Sequence, residues 1–326
     1  MSKKLWKASA QSNIAVVKYM GKESGGINQA TNPSLSMTLS DFRTSVELEL
    51  LSSGEADRWE PLPGSSPLRV ESTKRFVEFF QKLKAQEKIS QNFLLRSGNN
   101  FPSDAGLASS ASSFAALTKC AELAFSELAN RAPRAAGALA NISRTGSGSS
   151  CRSFFSPWCA WEGEKIYASE SKLEPLVDVV ILHESGFKKV SSSEAHKRVK
   201  SSPLFEGRSV RAQERMKQSL AALRSGDFKI LAEIAWAESW DMHSLFHTSS
   251  PPFFYFAPQT IAVLRFVENF WEKNGFGPLA TIDAGPNVHL FMKLNEKEKI
   301  LAELRAEISA TGAGEIFTQE SQSRAE

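Results

Sequence analysis

The sequence predicts an α+β fold, and three observations carry that expectation. TSVELELL (44–51) alternates Val46, Leu48 and Leu50 with Glu47 and Glu49, the period-two pattern of a half-exposed strand. ESTKRFVEFFQKLKAQ places Phe76, Phe79, Phe80 and Leu83 at i, i+3, i+4 and i+7, the spacing of an amphipathic helix. Strands and helices of this kind are mixed along the chain without regular βαβ alternation.

Taken in order, SNIAVVKYMGK (12–22) carries an apolar run, Ile14 to Val17, that leads directly into Lys18. SGEADRWEPLPGSSP (53–67) reads as a loop by its Gly, Pro and Ser content. After FPSDAG the residues Phe114, Leu117, Ala121, Phe125 and Leu128 step by three or four, so a glycine-bearing loop feeds a helix that starts with serines. A second helix near 134–143 runs into the Gly/Ser-rich loop RTGSGSSCRS (144–153). LVDVVILH (176–183) reads as a buried strand, helical patterns follow near 208–224, 227–245 and 258–273, and TIDA with VHLFMKL completes a strand pair. Two domains are expected from 326 residues, 1–174 and 175–326.

Bulk properties narrow the function classes. An apolar content of 41% and a charged content of 23% are those of a globular enzyme. A net charge of +3 is too small to argue for nucleic acid, but it leaves room for local basic pockets that take an anionic small molecule. Cys120, Cys151 and Cys159 make an odd count without metal-like spacing, which fits reduced thiols in a cytosol. MSKKLWKASAQSN has lysines but no apolar h-region and does not read as a secretory signal. No apolar run approaches the roughly 18–20 residues that cross a bilayer. The expected localisation is cytoplasmic, with no membrane partner.

Four stretches carry candidate chemistry. In FPSDAGLASSASS (101–113), Gly106 permits close backbone approach to a ligand, and the next helix start offers unpaired N–H groups to a phosphate. Ser109, Ser110, Ser112 and Ser113 add hydroxyls; a Ser-rich helix cap explains the same residues. RTGSGSSCRS is either a flexible linker or an anion site in which Arg152 pairs with a carboxylate or phosphate. Lys18 and Lys22, four apart, are either surface lysines or, for Lys18, a partly desolvated charge at a strand end. In TIDAGPNVHL (281–290), Asp283 is a carboxylate where a strand stops, a turn residue or a catalytic acid.

These segments, with NPSLSMTL (32–39), VDVVILHESGFKKVSSS and SPPFFYFAPQT, stand in the order found in the diphosphomevalonate decarboxylase family of the GHMP kinase superfamily, which the chain resembles from about residue 8 to residue 292. The stretch from Pro102 to Ala111 resembles the superfamily loop; KYMGK, GSGSSCRS and DAGPN resemble the decarboxylase branch. The resemblance implies a ribosomal-protein-S5-domain-2-like N-terminal α/β domain, a ferredoxin-like C-terminal α+β domain, and an active site in the cleft between them. It implies a cytoplasmic homodimer that uses ATP and Mg²⁺ to phosphorylate the tertiary 3-hydroxyl of 5-diphosphomevalonate. Loss of phosphate and carbon dioxide then gives isopentenyl diphosphate.

On the matching positions, the resemblance makes Asp283 the catalytic aspartate, base or orienter of the hydroxyl proton, Lys18 its charge partner, and Arg152 the ligand of the substrate carboxylate. Tyr19, Lys22, Ser147, Ser149, Ser150 and Ser192 would contact the substrate's anionic groups. Pro102, Gly106, Leu107, Ser109 and Ser110 would hold the ATP phosphates, with Ser109 and Ser110 nearest Mg²⁺. Related readings are a 3-kinase or monophosphate decarboxylase acting on mevalonate or its 5-phosphate, and a non-enzymatic binding protein on the same scaffold.

The sequence also departs from the family. Asp104 stands where a small residue is common and reads as a helix cap. Met20 replaces a usual Trp, Gly25-Gly26 is unusual, and SSSEAHKRVKSSPLFEGR (191–208) lacks the usual Ser/Arg or Ser-Thr pair followed by Gly-Met. There His196, Lys197 and Arg198 read either as a solvated helix face or as a rearranged anion site. Trp236 and Trp240, four apart, read as core. His243 and His247 have a metal-capable spacing but lack the HExxH glutamate, so no zinc is expected.

Overall fold

A computed structural model describes residues 4–23, 28–52, 54–101, 109–182, 190–312 and 315–317. Pro102, Asp104, Gly106, Leu107, the Gly25-Gly26 pair, the segment 183–189 and the polar tail lie outside the described residues.

The chain forms two compact units. The first comprises residues 1–13, 25–29 and 38–168; the second comprises 14–24, 30–37 and 169–326. The first strand, β1 (Leu5–Val17), and the second, β2 (Ser34–Leu50), belong in part to each.

In the first unit β3 (Arg58–Pro61), β4 (Phe93–Asn99), β2, β5 (Trp158–Glu162) and β6 (Lys165–Ala168) make a sheet in the order β3-β4-β2-β5-β6, with β1 paired to β2. Val46 pairs with Ser97 and Leu48 with Leu95, so the alternation of the predicted strand sends these residues inward. Helices α1 (Val70–Gln86) and α2 (Ser109–Leu128) cover that face. Their Phe76, Phe79, Phe80, Phe114, Leu117 and Phe125 form one core with Val46, Leu48, Phe93 and Leu95. The β5–β6 hairpin, absent from the sequence reading, turns at Gly163, whose φ of 60° suits glycine.

Helix α3 (Ala136–Gly146) runs three residues past its predicted end, and residues 148–154 form a 3-10 helix. The expected loop at RTGSGSSCRS is therefore ordered helix, which excludes the flexible linker. Its polar groups explain why: Ser150 Oγ bonds Ser143 Oγ (2.6 Å) and donates to the Ser147 carbonyl (2.7 Å).

The second unit holds a four-stranded antiparallel sheet, β10-β7-β9-β8, built from β7 (Leu176–Leu182), β8 (Leu279–Thr281), β9 (Val288–Lys293) and β10 (Glu315–Phe317). Its inward residues Val179, Ile181, Val288 and Leu290 pack with Val263, Val267 and Phe270 of α7 (Pro258–Asn274) and Leu301 and Leu304 of α8 (Lys297–Thr311). Helices α4 (Ser192–Arg198), α5 (Arg208–Ser225) and α6 (Phe228–His247) complete it. Asp227 caps α6 by accepting the Ile230 N–H (3.0 Å), and Gly226, at φ 79°, ends α5. Trp236 packs half-buried against this core, as expected, but Trp240 is 37% exposed and meets Trp236 edge to face, so only one of the expected core pair is in the core.

Candidate active site

Two strand ends in the second unit create the first cluster. Thr281, at the end of β8, donates its hydroxyl to the Ala15 carbonyl of β1 (2.7 Å), fixing one strand end to the other. Three residues beyond Ala15 the chain delivers Lys18; two beyond Thr281 it delivers Asp283. Lys18 Nζ lies 2.7 Å from Asp283 Oδ1. The ammonium is 1% exposed and the carboxylate 33%, so the lysine is buried behind an acid that reaches the surface. Opposite charges at this distance favour the ionised pair. The surface-lysine reading of Lys18 is excluded, and Asp283 is ion-paired as well as placed at the turn.

The Lys18 peptide is gripped on both polar groups. Its N–H donates to Glu238 Oε1 (2.8 Å), and its carbonyl accepts from Arg208 Nη2 (3.1 Å) and Asn32 Nδ2 (2.8 Å). Arg208 and Glu238 form a buried ion pair, and Glu238 also takes a bond from Arg215 Nη1 (2.8 Å). Asp241, one turn on, bonds Arg208, Arg211 and Arg215. Burial alone would raise the Asp241 carboxyl; the Arg211 bond and the Arg208 and Arg215 charges hold it below the usual range.

The other face of α6 serves Asp283. His243 Nε2 lies 3.2 Å from the Asp283 carbonyl, and its ring stacks on Phe256 at 4.1 Å. Burial, then the charges of Lys18 and His247, push its imidazole down to about 3. His243 is therefore neutral near pH 7, with Nε2–H donating to the carbonyl. The unfolded chain takes a proton near pH 6.5 that the folded chain refuses. Stability from this group is present above pH 6.5 and is lost as pH falls toward 3, at up to about 1.4 kcal/mol per pH unit. His243→Gln keeps a donor without the titration, so its thermal midpoint should fall less than the wild type's between pH 6.5 and 5. Equal slopes in the two melting series would remove His243 from this role. Among the described residues no group of three or more His, Cys, Asp or Glu is arranged to hold a metal ion.

The first unit holds the second cluster. Arg152 is buried in the 3-10 helix, where its Nε donates to Asn13 Oδ1 (3.0 Å). Asn13 in turn donates to Ser153 Oγ (2.8 Å) and the Ser149 carbonyl (3.3 Å). Ser147 Oγ reaches Ser110 Oγ at the start of α2 (3.5 Å), bringing the two predicted serine loops together. Ser112 and Ser113 are drawn into the scaffold: Ser112 bonds Thr44 Oγ1 (2.7 Å) and Ser113 donates to the Ser109 carbonyl (2.7 Å). Burial pushes the Cys159 thiol up to about 12 and raises Cys151 as well, so both thiols stay protonated.

Tyr19 is buried and Lys22 half-buried, the latter bridging to Ala30. Ser192 opens α4 and is exposed. Of the three basic residues there, Lys197 is exposed and Arg198 pairs with Glu194 (2.9 Å), but His196 is buried and points inward. The solvated-face expectation fails at His196. Asn13, Asn32, Arg208, Glu238 and His243 were not predicted as site residues; Asn13 and Asn32 lie within motifs that stood out, His243 stood out only for its spacing to His247, and Arg208 and Glu238 had no signal.

Comparison with known proteins places the chain. Residues 10–172 match the diphosphomevalonate decarboxylase-like N-terminal domain, and residues 178–326 match the mevalonate 5-diphosphate decarboxylase C-terminal domain. The diphosphomevalonate decarboxylase of Schizosaccharomyces pombe is 34% identical over 94% of this chain and 84% of its own. The crystal structure of a mevalonate diphosphate decarboxylase from Legionella pneumophila is 43% identical with a TM-score of 0.88, covering 96% of this chain and 100% of that one. A complex of MDDEF with MVAPP, AMPPCP and magnesium is 27% identical with a TM-score of 0.84, covering 98% and 100%. The α+β expectation holds, in the form of the GHMP kinase fold. The chain belongs to the diphosphomevalonate decarboxylase family.

Proposed function

We propose that this protein converts 5-diphosphomevalonate and ATP to isopentenyl diphosphate, ADP, phosphate and carbon dioxide. The observation that carries the reading is the 2.7 Å pair between buried Lys18 and surface-reaching Asp283. A tertiary alcohol is a weak nucleophile, and a carboxylate that takes or orients its proton lowers the barrier to phosphorylation. Lys18 keeps that carboxylate ionised and offsets the negative charge that gathers during phosphoryl transfer. Once the 3-hydroxyl is phosphorylated, the C–O bond breaks with its electron pair leaving on phosphate, and the C–C bond to the carboxylate breaks to release carbon dioxide, its electron pair becoming the new double bond. Arg152 binds that carboxylate in this reading and aims it opposite the leaving phosphate.

Tyr19, Lys22, Ser147, Ser149, Ser150 and Ser192 take the substrate's anionic groups. For ATP the described residues fit: the described part of α2 opens with Ser109 and Ser110 and carries no acidic residue in that first turn, which suits a phosphate. Pro102, Gly106 and Leu107 belong to the same nucleotide loop. Ser109 and Ser110 would lie nearest the Mg²⁺ carried with the nucleotide, which would neutralise charge on the phosphates. Residues 1–174 act as the nucleotide-binding domain and 175–326 as the domain bearing the acid. No helix among the described residues is long and apolar enough to cross a membrane, and the reading places the protein in the cytoplasm as a homodimer.

The test incubates purified protein with MgATP and mevalonate, its 5-phosphate or its 5-diphosphate, and follows ADP and carbon dioxide separately. Equal amounts of both products from the 5-diphosphate are expected. ADP without carbon dioxide would make the protein a 3-kinase. Product from mevalonate or its 5-phosphate in preference would reassign the substrate, and no ADP from any of the three would remove the assignment.

A further inference from the structure

The segment 191–198 and Met20, the two departures from the family pattern that the described residues cover, meet in one place. Met20 packs in a core cluster with Val190, Ala195, Val199, Met242, Phe246 and Phe253. One position along, Gly21 donates its backbone N–H to His196 Nδ1 (3.0 Å). The same imidazole lies against the Tyr19 ring, with centroids 4.4 Å apart. A single side chain thus touches the residues on both sides of Met20.

Gly21 needs such a hold. Its φ is +99°, a conformation that side chains rarely adopt, and a Cβ there would come within 2.5 Å of Thr31 Oγ1 and 2.9 Å of the Phe205 ring. The turn sits between Lys18 and Lys22, so its conformation decides where Tyr19 and Lys22 point. A buried peptide N–H needs an acceptor. Only a neutral imidazole with its proton on Nε2 supplies one at Nδ1.

We propose that His196 is a positioning residue that sets the Tyr19–Lys22 turn and, through it, the grip on the substrate's diphosphate. This role rests on the decarboxylase reading above. His196 acts by two separable features: the Nδ1 acceptor fixes the Gly21 peptide, and the ring steadies Tyr19. The acceptor is the larger of the two, because its loss strands a buried donor whereas loss of the ring removes one aromatic contact.

Two substitutions separate the features. His196→Phe keeps a ring beside Tyr19 and removes the acceptor. His196→Asn removes the ring and puts Oδ1 where Nδ1 was. The measurements are KM for 5-diphosphomevalonate, KM for ATP, kcat, and hydrogen exchange at the Gly21 amide without substrate. His196→Phe should raise KM for 5-diphosphomevalonate about tenfold and speed Gly21 exchange by a similar factor, with KM for ATP within about twofold of wild type. His196→Asn should bring both the substrate KM and the Gly21 exchange back to within about threefold of wild type. A Phe variant with wild-type substrate KM overturns the role, as does an Asn variant no better than Phe. A parallel fall in kcat and rise in KM for ATP would mean general loosening and also overturns it. A wild type that turns over no 5-diphosphomevalonate overturns the decarboxylase reading, and the substrate role of His196 falls with it. That result is distinct from an active wild type matched by an equally active Phe variant.

Discussion

Asp283→Asn should bind ATP within about twofold of wild type and turn over 5-diphosphomevalonate about 10²- to 10⁴-fold more slowly. The substitution keeps the size of the side chain and its place beyond β8. It removes the ability to take a proton from the tertiary hydroxyl, and it removes the negative charge 2.7 Å from Lys18 Nζ. ATP affinity is spared because the proposed phosphate ligands are Ser109 and Ser110, which the substitution does not alter. Single-turnover release of ADP and carbon dioxide, with calorimetric titration of ATP, checks both halves. Turnover within about tenfold of wild type would show that Asp283 is not the group that handles the proton.

Glu238→Ala should cost about 3–5 kcal/mol of stability, the usual penalty for removing one partner of a buried ion pair. Glu238 is fully buried between Arg208 and Arg215, so its loss leaves two guanidinium groups with less compensating charge. It also removes the acceptor of the Lys18 N–H. At this size the shift in thermal midpoint is on the order of 10 °C. Glu238→Gln separates the two contributions, because its amide oxygen still accepts from the Lys18 N–H while the charge is gone. The Gln variant should therefore be destabilised yet retain more activity per folded molecule than the Ala variant. Calorimetry that finds Glu238→Ala melting within about 2 °C of wild type would show that the arginines do not depend on Glu238.

Much of the scaffold was legible because helix and strand faces repeat locally. The ring of Phe76, Phe79 and Phe80, and the alternation of Val46 and Leu48, are patterns within one element, and each element turned its apolar face inward. Short strands escaped: β3, β6 and β10 span three or four residues each, too few for a period to show. The Gly/Ser-rich stretch 144–153 misled in the opposite way. Its composition suggests slack chain, but serine hydroxyls that bond one another and nearby carbonyls order it as helix.

The candidate site divides along the same line. Lys18, Asp283 and Arg152 stood out by residue type and motif. Their supports did not, because each acts through a partner remote in sequence: Glu238 meets the Lys18 N–H across 220 positions, Arg208 the Lys18 carbonyl across 190, and His196 the Gly21 N–H across 175. Nothing near Glu238 distinguishes a buried acid from a solvated one, and nothing near His196 separates it from exposed Lys197. The sequence by itself determined the long periodic elements, their inward faces and the candidates for the chemistry. Only the tertiary structure decided which charges lie buried, which peptide groups they hold, and that His196 turns inward. Periodicity is a property of neighbours along the chain, whereas burial and hydrogen-bond satisfaction depend on everything folded around a group.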